Sequence, residues 1–162
     1  MRDDAFASLT LAEVEEVSGE LHRRIGVALR TIGERRADER GEHDASPRQL
    51  VASLAASLEL AAGTLGAIAA AVTPADGRSD RHPTAVAAVM YAAPSVGALL
   101  SRLEQDRRLL ASVARTLESR LDELHATAWG KIAMRELVSE VAVAAAAACA
   151  QDLEQRAAVA TA

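Results

Sequence analysis

Aromatic residues and lysine are scarce in this chain. Phe, Trp and Tyr make up 2% of 162 residues, and the whole set is Phe6, Tyr91 and Trp129. Proteins that bind single-stranded nucleic acids stack bases on such rings, and phosphate binding needs a basic patch that a net charge of −5 does not provide. We therefore expect no nucleic-acid partner. Seventeen of the 18 basic residues are arginine, a bias typical of a high-GC genome, which predicts a bacterial source.

The sequence contains a single cysteine, Cys149. One cysteine forms no intrachain disulfide, so a reducing compartment is expected and we predict a cytoplasmic location. Cys149 lies in the alanine-rich run 144–150. That setting favours a small buried residue over a reactive thiol.

Motifs for metal binding and catalysis are missing as well. A di-iron bundle needs Glu-x-x-His on two helices, whereas here Asp122 precedes His125 once. There is no Gly-x-Ser-x-Gly turn, and the pair Gly63 and Gly66 has no following lysine to make a phosphate loop. We expect no metal or cofactor, and we identify no catalytic residue, so the sequence favours a role other than catalysis.

Apolar residues recur at spacings of three and four along most of the chain, and alanine is abundant. This pattern is typical of helices that each bury one face. It predicts a single all-α domain over 1–162, an antiparallel helical bundle. Four long helices are expected near 10–41, 46–73, 95–126 and 128–157, with a short extra helix near 83–93. Their similar lengths favour an up-and-down order.

Local signals place the helix ends. Capping boxes are expected where Thr10 precedes Glu13 and where Ser46 precedes Gln49. Pro94 interrupts the apolar stretch that begins at Pro83. The third long helix therefore begins either at Pro83 or at Pro94. The loop 74–82 is rich in Pro, Gly and Asp and is predicted to be the most exposed connection. No segment predicts a strand.

The second predicted helix and the segment 83–93 carry more apolar surface than a bundle helix needs. Between Arg48 and Asp76 the only charged residue is Glu59, and 83–93 has none. A four-helix bundle buries one stripe on each helix, so the surplus must be covered by something else. We therefore predict a non-enzymatic protein that acts by self-association, as a homodimer, or by docking a protein partner.

Two other functions fit the same residues. Met90, Tyr91 and Trp129 are large side chains among small ones and, with Glu59, could line a site for a small apolar ligand in a biosynthetic pathway. For Met90 and Tyr91 ordinary core packing is the favoured explanation, since a methionine or aromatic residue at helical spacing is usually part of the core. The segments 50–72 and 83–101 are also nearly long enough to form a membrane hairpin, although the central Glu59 opposes insertion.

Glu59 is the most unusual polar candidate, since it stands among apolar neighbours. A buried carboxylate must be protonated or paired. If neighbouring helices are antiparallel and the third begins at Pro94, Glu59 lies at the same height along the bundle as Arg30 on the first helix and Arg108 on the third. If the third helix begins earlier, a protonated Glu59 would lie near the kink at Ser95. The remaining possibility is that Glu59 faces water.

Overall fold

The computed structural model describes residues 9–42 and 44–162, and most of them are helical. The helices are α1 Leu11–Ile32, α2 Glu34–Ala37, α3 Pro47–Ala69, α4 Pro83–Ala92, α5 Val96–Thr116, α6 Met134–Ser139 and α7 Ala146–Thr161. A π-helical stretch, Glu140–Ala145, joins α6 to α7 without a break. The strands β1 Leu124–Thr127 and β2 Gly130–Ala133 form one antiparallel hairpin. The prediction of an all-α helical fold is confirmed.

The predicted helix starts are confirmed by their capping contacts. The Thr10 hydroxyl accepts the Glu13 amide at 3.2 Å, and the Glu13 carboxylate accepts the Thr10 amide at 2.7 Å. Ser46 and Gln49 make the same reciprocal pair at 3.2 and 2.9 Å. Each pair satisfies amides that a helix start leaves without an intrahelical partner.

The first helix was predicted to run to 41, and that end is wrong. It stops at Ile32 because Gly33 has φ +80, a left-handed value that glycine adopts without a steric penalty. The short α2 follows at once. The second predicted helix also ends early, at Ala69 and not at 73.

The break at Pro94 separates α4 from α5, which meet at a bend of 113°. The predicted short helix near 83–93 is thus confirmed, and the third long helix begins after Pro94. Arg48 donates from Nη2 to the Ala93 carbonyl at 3.1 Å, and Glu34 Oε1 accepts the Val96 amide at 2.7 Å. These two contacts provide hydrogen-bond partners for backbone groups that have no intrahelical partner at the bend.

The hairpin at 124–133 corrects the predicted third and fourth helices. Neither the helix expected at 95–126 nor the one at 128–157 extends through it, since α5 ends at Thr116 and α6 begins at Met134. Thr127 pairs with Gly130 across a two-residue turn, and Gly130 has φ +89. Thr127 and Ile132 are buried against the bundle, so tertiary packing stabilises a short hairpin that is marginal by itself.

The order of the helices differs from the predicted up-and-down bundle. Arg48 near the start of α3 contacts Ala93 just before α5, and Glu59 further along α3 contacts Arg102 further along α5. These contacts show that α3 and α5 run parallel. The chain returns between them through α4, which packs against α3. An antiparallel bundle has no such crossover, so the predicted strict alternation is wrong.

The first and last helices are neighbours and also run parallel. Arg135 at the start of α6 donates to the Leu9 carbonyl at 3.4 Å, and Arg36 beyond α1 donates to the Ala160 carbonyl at 2.9 Å. Between them Arg24 pairs with Glu154 at 2.7 Å. By contrast α1 is antiparallel to α5, since Glu15 near the start of α1 pairs with Arg115 near the end of α5. The long helices therefore run up, down, down and up.

The core runs along α3, which is covered by helices on several sides. Leu58, Leu65, Leu99 and Leu137 are among its fully buried side chains. In the described part of the chain, α3 is the one helix that is by itself long and apolar enough to cross a bilayer, and α4 with α5 pass the same test only as one bent pair. Of the most apolar part of α3, 61% is buried within the chain.

Candidate functional site

An open groove with a volume of about 620 Å³ lies between α3 and α4. Its α3 wall carries Ala56, Leu60 and Gly63, which follow each other at helical spacing. The α4 wall carries Ala85, Ala88, Val89 and Ala92. The residues of both walls are apolar and most of them are small. Its polar groups lie in two clusters.

The first polar cluster joins α3 to α5 through Arg102. Its Nη2 donates to Glu59 at 2.8 Å, and its Nε donates to Asp106 at 2.9 Å. The side chain of Asp106 is 8% exposed, and burial raises the pKa of that carboxyl even though Arg102 opposes the shift. Arg102 therefore compensates one buried and one exposed carboxylate.

The second polar cluster fixes the loop between α3 and α4. Asp80 has a fully buried side chain that accepts from the Ser57 hydroxyl at 2.6 Å and from Arg78 at 2.8 and 2.6 Å. Burial alone would raise the pKa of Asp80, but the bonds from Arg78 and Ser57 bring it below its usual value. The Arg78 guanidinium lies 4.5 Å from the centre of the Trp129 ring. One chain of contacts therefore connects α3, the loop and the hairpin tip.

The structure brings Glu59 to the groove but not to its predicted partners. Glu59 pairs with Arg102, whereas Arg108 pairs with Glu104 and Arg30 lies against Gly26 on α1. The Arg108 prediction failed because it assumed that α3 and α5 are antiparallel, and the Arg30 prediction failed because α1 packs mainly on α5 and α7 and not on α3. A parallel pair places Glu59 about one and a half turns closer to the start of α5 than that assumption does.

The predicted large side chains are spread over three environments. Tyr91 is 90% exposed and Met90 is half-buried on α4, so the core-packing interpretation is wrong for Tyr91. Trp129, expected on a helix, lies in the turn of the hairpin. These three residues do not form one site with Glu59.

Several residues of the two clusters were not predicted from the sequence. Asp80 and Arg78 lie in a loop that was expected to be exposed, and Arg102 and Asp106 look like the charged outer face of a helix. Helical spacing offers one signal for the last pair, since Arg102 and Asp106 are four residues apart. The burial of Asp80 has no such local signal.

Metal and thiol chemistry find no support in the described residues. Among 9–42 and 44–162 no group of three or more His, Cys, Asp or Glu side chains is placed to hold a metal ion. Cys149 is buried, and burial raises its pKa to about 12. At neutral pH its thiol is therefore protonated, in line with the small buried residue that the sequence suggested.

Exchanging Glu59 for glutamine is expected to change the free energy of unfolding by less than about 1 kcal/mol, because exposed ion pairs contribute little. The Glu59 side chain is 57% exposed. Arg102→Gln is the contrasting variant, since it leaves the buried Asp106 without its cation and should cost clearly more. Urea unfolding of both variants measures the difference. A loss above about 2 kcal/mol in Glu59→Gln would show that the pair behaves as a buried one.

Comparison with known proteins gives no relative. No protein family, no curated protein and no solved structure matches this chain.

Proposed function

We propose that this protein acts by self-association, and that the outer face of α4 with the adjoining groove is the contact between two copies. One observation carries the proposal: of the ten residues of α4, only Val89 is buried. Exposed apolar helices are uncommon on monomers, where large uncharged patches mark sites of association. The proposed role is therefore binding and involves no catalysis or cofactor.

The contact surface, which we name the α4 face, consists of exposed side chains of α4. Its members are Thr84, Ala87, Ala88, Tyr91 and Ala92, all exposed. The sequence has no charged residue from Pro83 to Ser101, although a quarter of the chain is charged. Two copies of a protein with net charge −5 repel each other over most of their surfaces. The α4 face is a region where that repulsion is weak.

A second copy of the chain fits this surface because it offers both a projection and a recess. Tyr91 projects from the α4 face, and the groove beside it is lined by small side chains. Among the described residues, nothing lies within 4 Å of a Cβ placed on Gly63 or Gly66. A two-fold contact brings each projection to the other copy's recess, and the same patch then serves both subunits.

The interface must extend past α4, because a stable dimer buries about 800 Å² on each partner. The end of α3 supplies the continuation. Ala69 is exposed there, and Ala70 and Val72 just beyond the helix are also exposed. This region is uncharged too, so it adds apolar area next to the groove.

A small amphipathic ligand in the groove is the second candidate function. The cavity of about 620 Å³ lies within the usual range for small-molecule sites. Apolar walls and two polar clusters would suit a molecule with an apolar body and a polar end. This candidate needs the groove to be open, whereas self-association covers it.

Light scattering combined with native mass spectrometry distinguishes the two functions. Self-association predicts a particle of twice the 17.0 kDa chain mass, with no additional bound mass. A monomer that carries a small molecule after purification would favour the ligand site. A monomer without bound mass at high protein concentration contradicts both.

We propose a cytoplasmic location for this dimer, in preference to a membrane hairpin. The support comes from α3, whose most apolar part is 61% buried within the chain, as is usual for the core helix of a globular bundle. We expect the protein in the supernatant after high-salt and carbonate washes of a cell lysate. Retention in the membrane pellet after carbonate would contradict this location.

A further inference from the structure

A second cavity lies between α1 and α5, on elements that the α4 face does not use. Its volume is about 360 Å³. The lining residues are Gly19, His22, Arg23, Gly26, Val27, Arg30, Leu100, Leu103, Glu104 and Arg107. Three of these side chains are arginines and one is a carboxylate, so the cavity is positive in a protein whose net charge is negative.

His22 forms part of the cavity wall and has no hydrogen-bond partner among residues 9–42 and 44–162. Its side chain is 5% exposed, and neither ring nitrogen meets a donor or acceptor within hydrogen-bond distance in the described part of the chain. Burial and the nearby Arg107 lower the pKa of His22 to about 4, so the ring is neutral at pH 7. A neutral imidazole carries one N–H group, and leaving it unpaired in a buried position is costly.

Two guanidinium groups flank His22, each beside a glycine of α1. Arg107 lies 3.9 Å from where a Cβ on Gly19 would be, and Arg30 Nη1 lies 3.1 Å from that position on Gly26. The missing side chains allow both cations to lie close to the helix. Arg30 has no ion pair among the described residues, so its donors are available to a ligand.

Glu104 forms an ion pair with Arg107 and lies close to His22 without a hydrogen bond to it. Its carboxylate accepts from Arg107 at 2.8 and 2.7 Å and from Arg108 at 2.7 Å. The hydrogen bonds from Arg107 lower its pKa to about 2 although burial opposes the shift, so Glu104 is ionised. Its Oε2 is 3.9 Å from His22 Nδ1, about 1 Å too far for a hydrogen bond.

We infer that this cavity binds a small anion, a carboxylate or a phosphate, between Arg30 and Arg107. The ligand accepts hydrogen bonds from both guanidinium groups and shares Arg107 with Glu104. Glu104 then shifts toward His22 and accepts from the ring N–H. Binding in this way pairs Arg30 and satisfies the buried imidazole, so each contact is more favourable than in the empty cavity.

Titration with inorganic phosphate, and separately with succinate, tests this inference at constant ionic strength set by NaCl. The readout is the ring signal of His22 in ¹H–¹³C NMR spectra, assigned with His22→Gln, together with the melting temperature. We expect a saturable shift of the His22 signal with at least one of the two anions. The anion that gives it identifies the preferred chemistry.

Arg30→Gln and Arg107→Gln are the test variants, and Arg108→Gln is the matched control. Loss of a charged hydrogen bond should raise the half-saturation concentration about tenfold or more in the first two. Arg108 binds the same Glu104 but does not line the cavity, so its loss should have little effect. Arg30 is exposed, which keeps the test valid if the Arg107 variant does not fold.

Three results would overturn the inference. The first is a His22 signal that does not shift with either anion. The second is a shift that grows linearly with concentration, and the third is an equal loss of binding in Arg108→Gln. Because the α4 face is not involved, a monomeric protein can still bind the anion, and the two proposals fail separately.

Discussion

Replacing Tyr91 with arginine is expected to turn the proposed dimer into a monomer without changing the stability of the chain. Tyr91 is 90% exposed, so its side chain makes few contacts within its own subunit. In the proposed dimer it is buried, and a buried tyrosine at the centre of an interface commonly contributes 2 kcal/mol or more, which corresponds to a roughly 30-fold weaker dimer when it is lost. An arginine at this position would also place a charge against the small apolar side chains of the partner's recess.

Sedimentation velocity over a range of concentrations measures this effect. Val159→Arg is the matched control, because it also places a charge at an exposed apolar position, 79% exposed, on a different helix. Ala88→Arg provides a second variant on the α4 face. If all three variants dimerise as strongly as the unchanged protein, the α4 face is not the contact.

Exchanging Asp80 for asparagine should lower the free energy of unfolding by about 3 kcal/mol, at the low end for a broken buried ion pair because Arg78 stays partly hydrated. The Arg78 side chain is 23% exposed and that of Asp80 is 0% exposed. Asparagine keeps the size of the side chain but leaves the Arg78 charge uncompensated. For a chain of this size the melting temperature should fall by roughly 6–12 °C.

Trp129 supplies a second readout for this variant, since it is the only tryptophan and its ring packs on Arg78. Release of the loop should change its fluorescence before global unfolding. Asp76→Asn, an exposed aspartate of the same loop, is the control and should leave both readouts unchanged. A stable Asp80→Asn protein with unaltered fluorescence would mean that the cluster does not hold the loop.

The effect of Asp80 also has a defined pH dependence. Its pKa is lowered in the folded protein relative to its ordinary value of 3.8. A carboxyl of this kind stabilises the fold fully above the unfolded pKa, and the contribution is lost as pH falls through the folded pKa. The stability difference between the unchanged protein and Asp80→Asn should therefore be constant from pH 5 to 8 and shrink below about pH 4.

The sequence was sufficient for features that depend on neighbouring residues. The capping boxes at Thr10 and Ser46 required only residues three positions apart, and the break at Pro94 followed from a missing amide donor. The uncharged stretch 83–93, most of which forms α4, was also identified from the sequence. Each of these signals acts within one or two turns of helix.

Features set by distant contacts were not predictable in the same way. The hairpin has an Ala-Trp turn without the usual Asn-Gly signal, and its strands lack β-branched alternation, so only its packing reveals it. The partner of Glu59 depended on the direction of α5, which the crossover through α4 decides. Asp80 lies in a polar loop, and its burial depends on Ser57, which is 23 residues away.

The pairing of the first helix with the last affects how the chain folds during its synthesis. Arg24 and Glu154, which join these helices, are 130 residues apart in sequence. Contacts between such distant residues form late and slow the closing of the fold. Until the ribosome releases the last helix, the apolar side of α1 that faces it stays open to solvent and to other nascent chains. A chain cut short before residue 134 should therefore be found with chaperones or in aggregates, even though α3, α4 and α5 are complete.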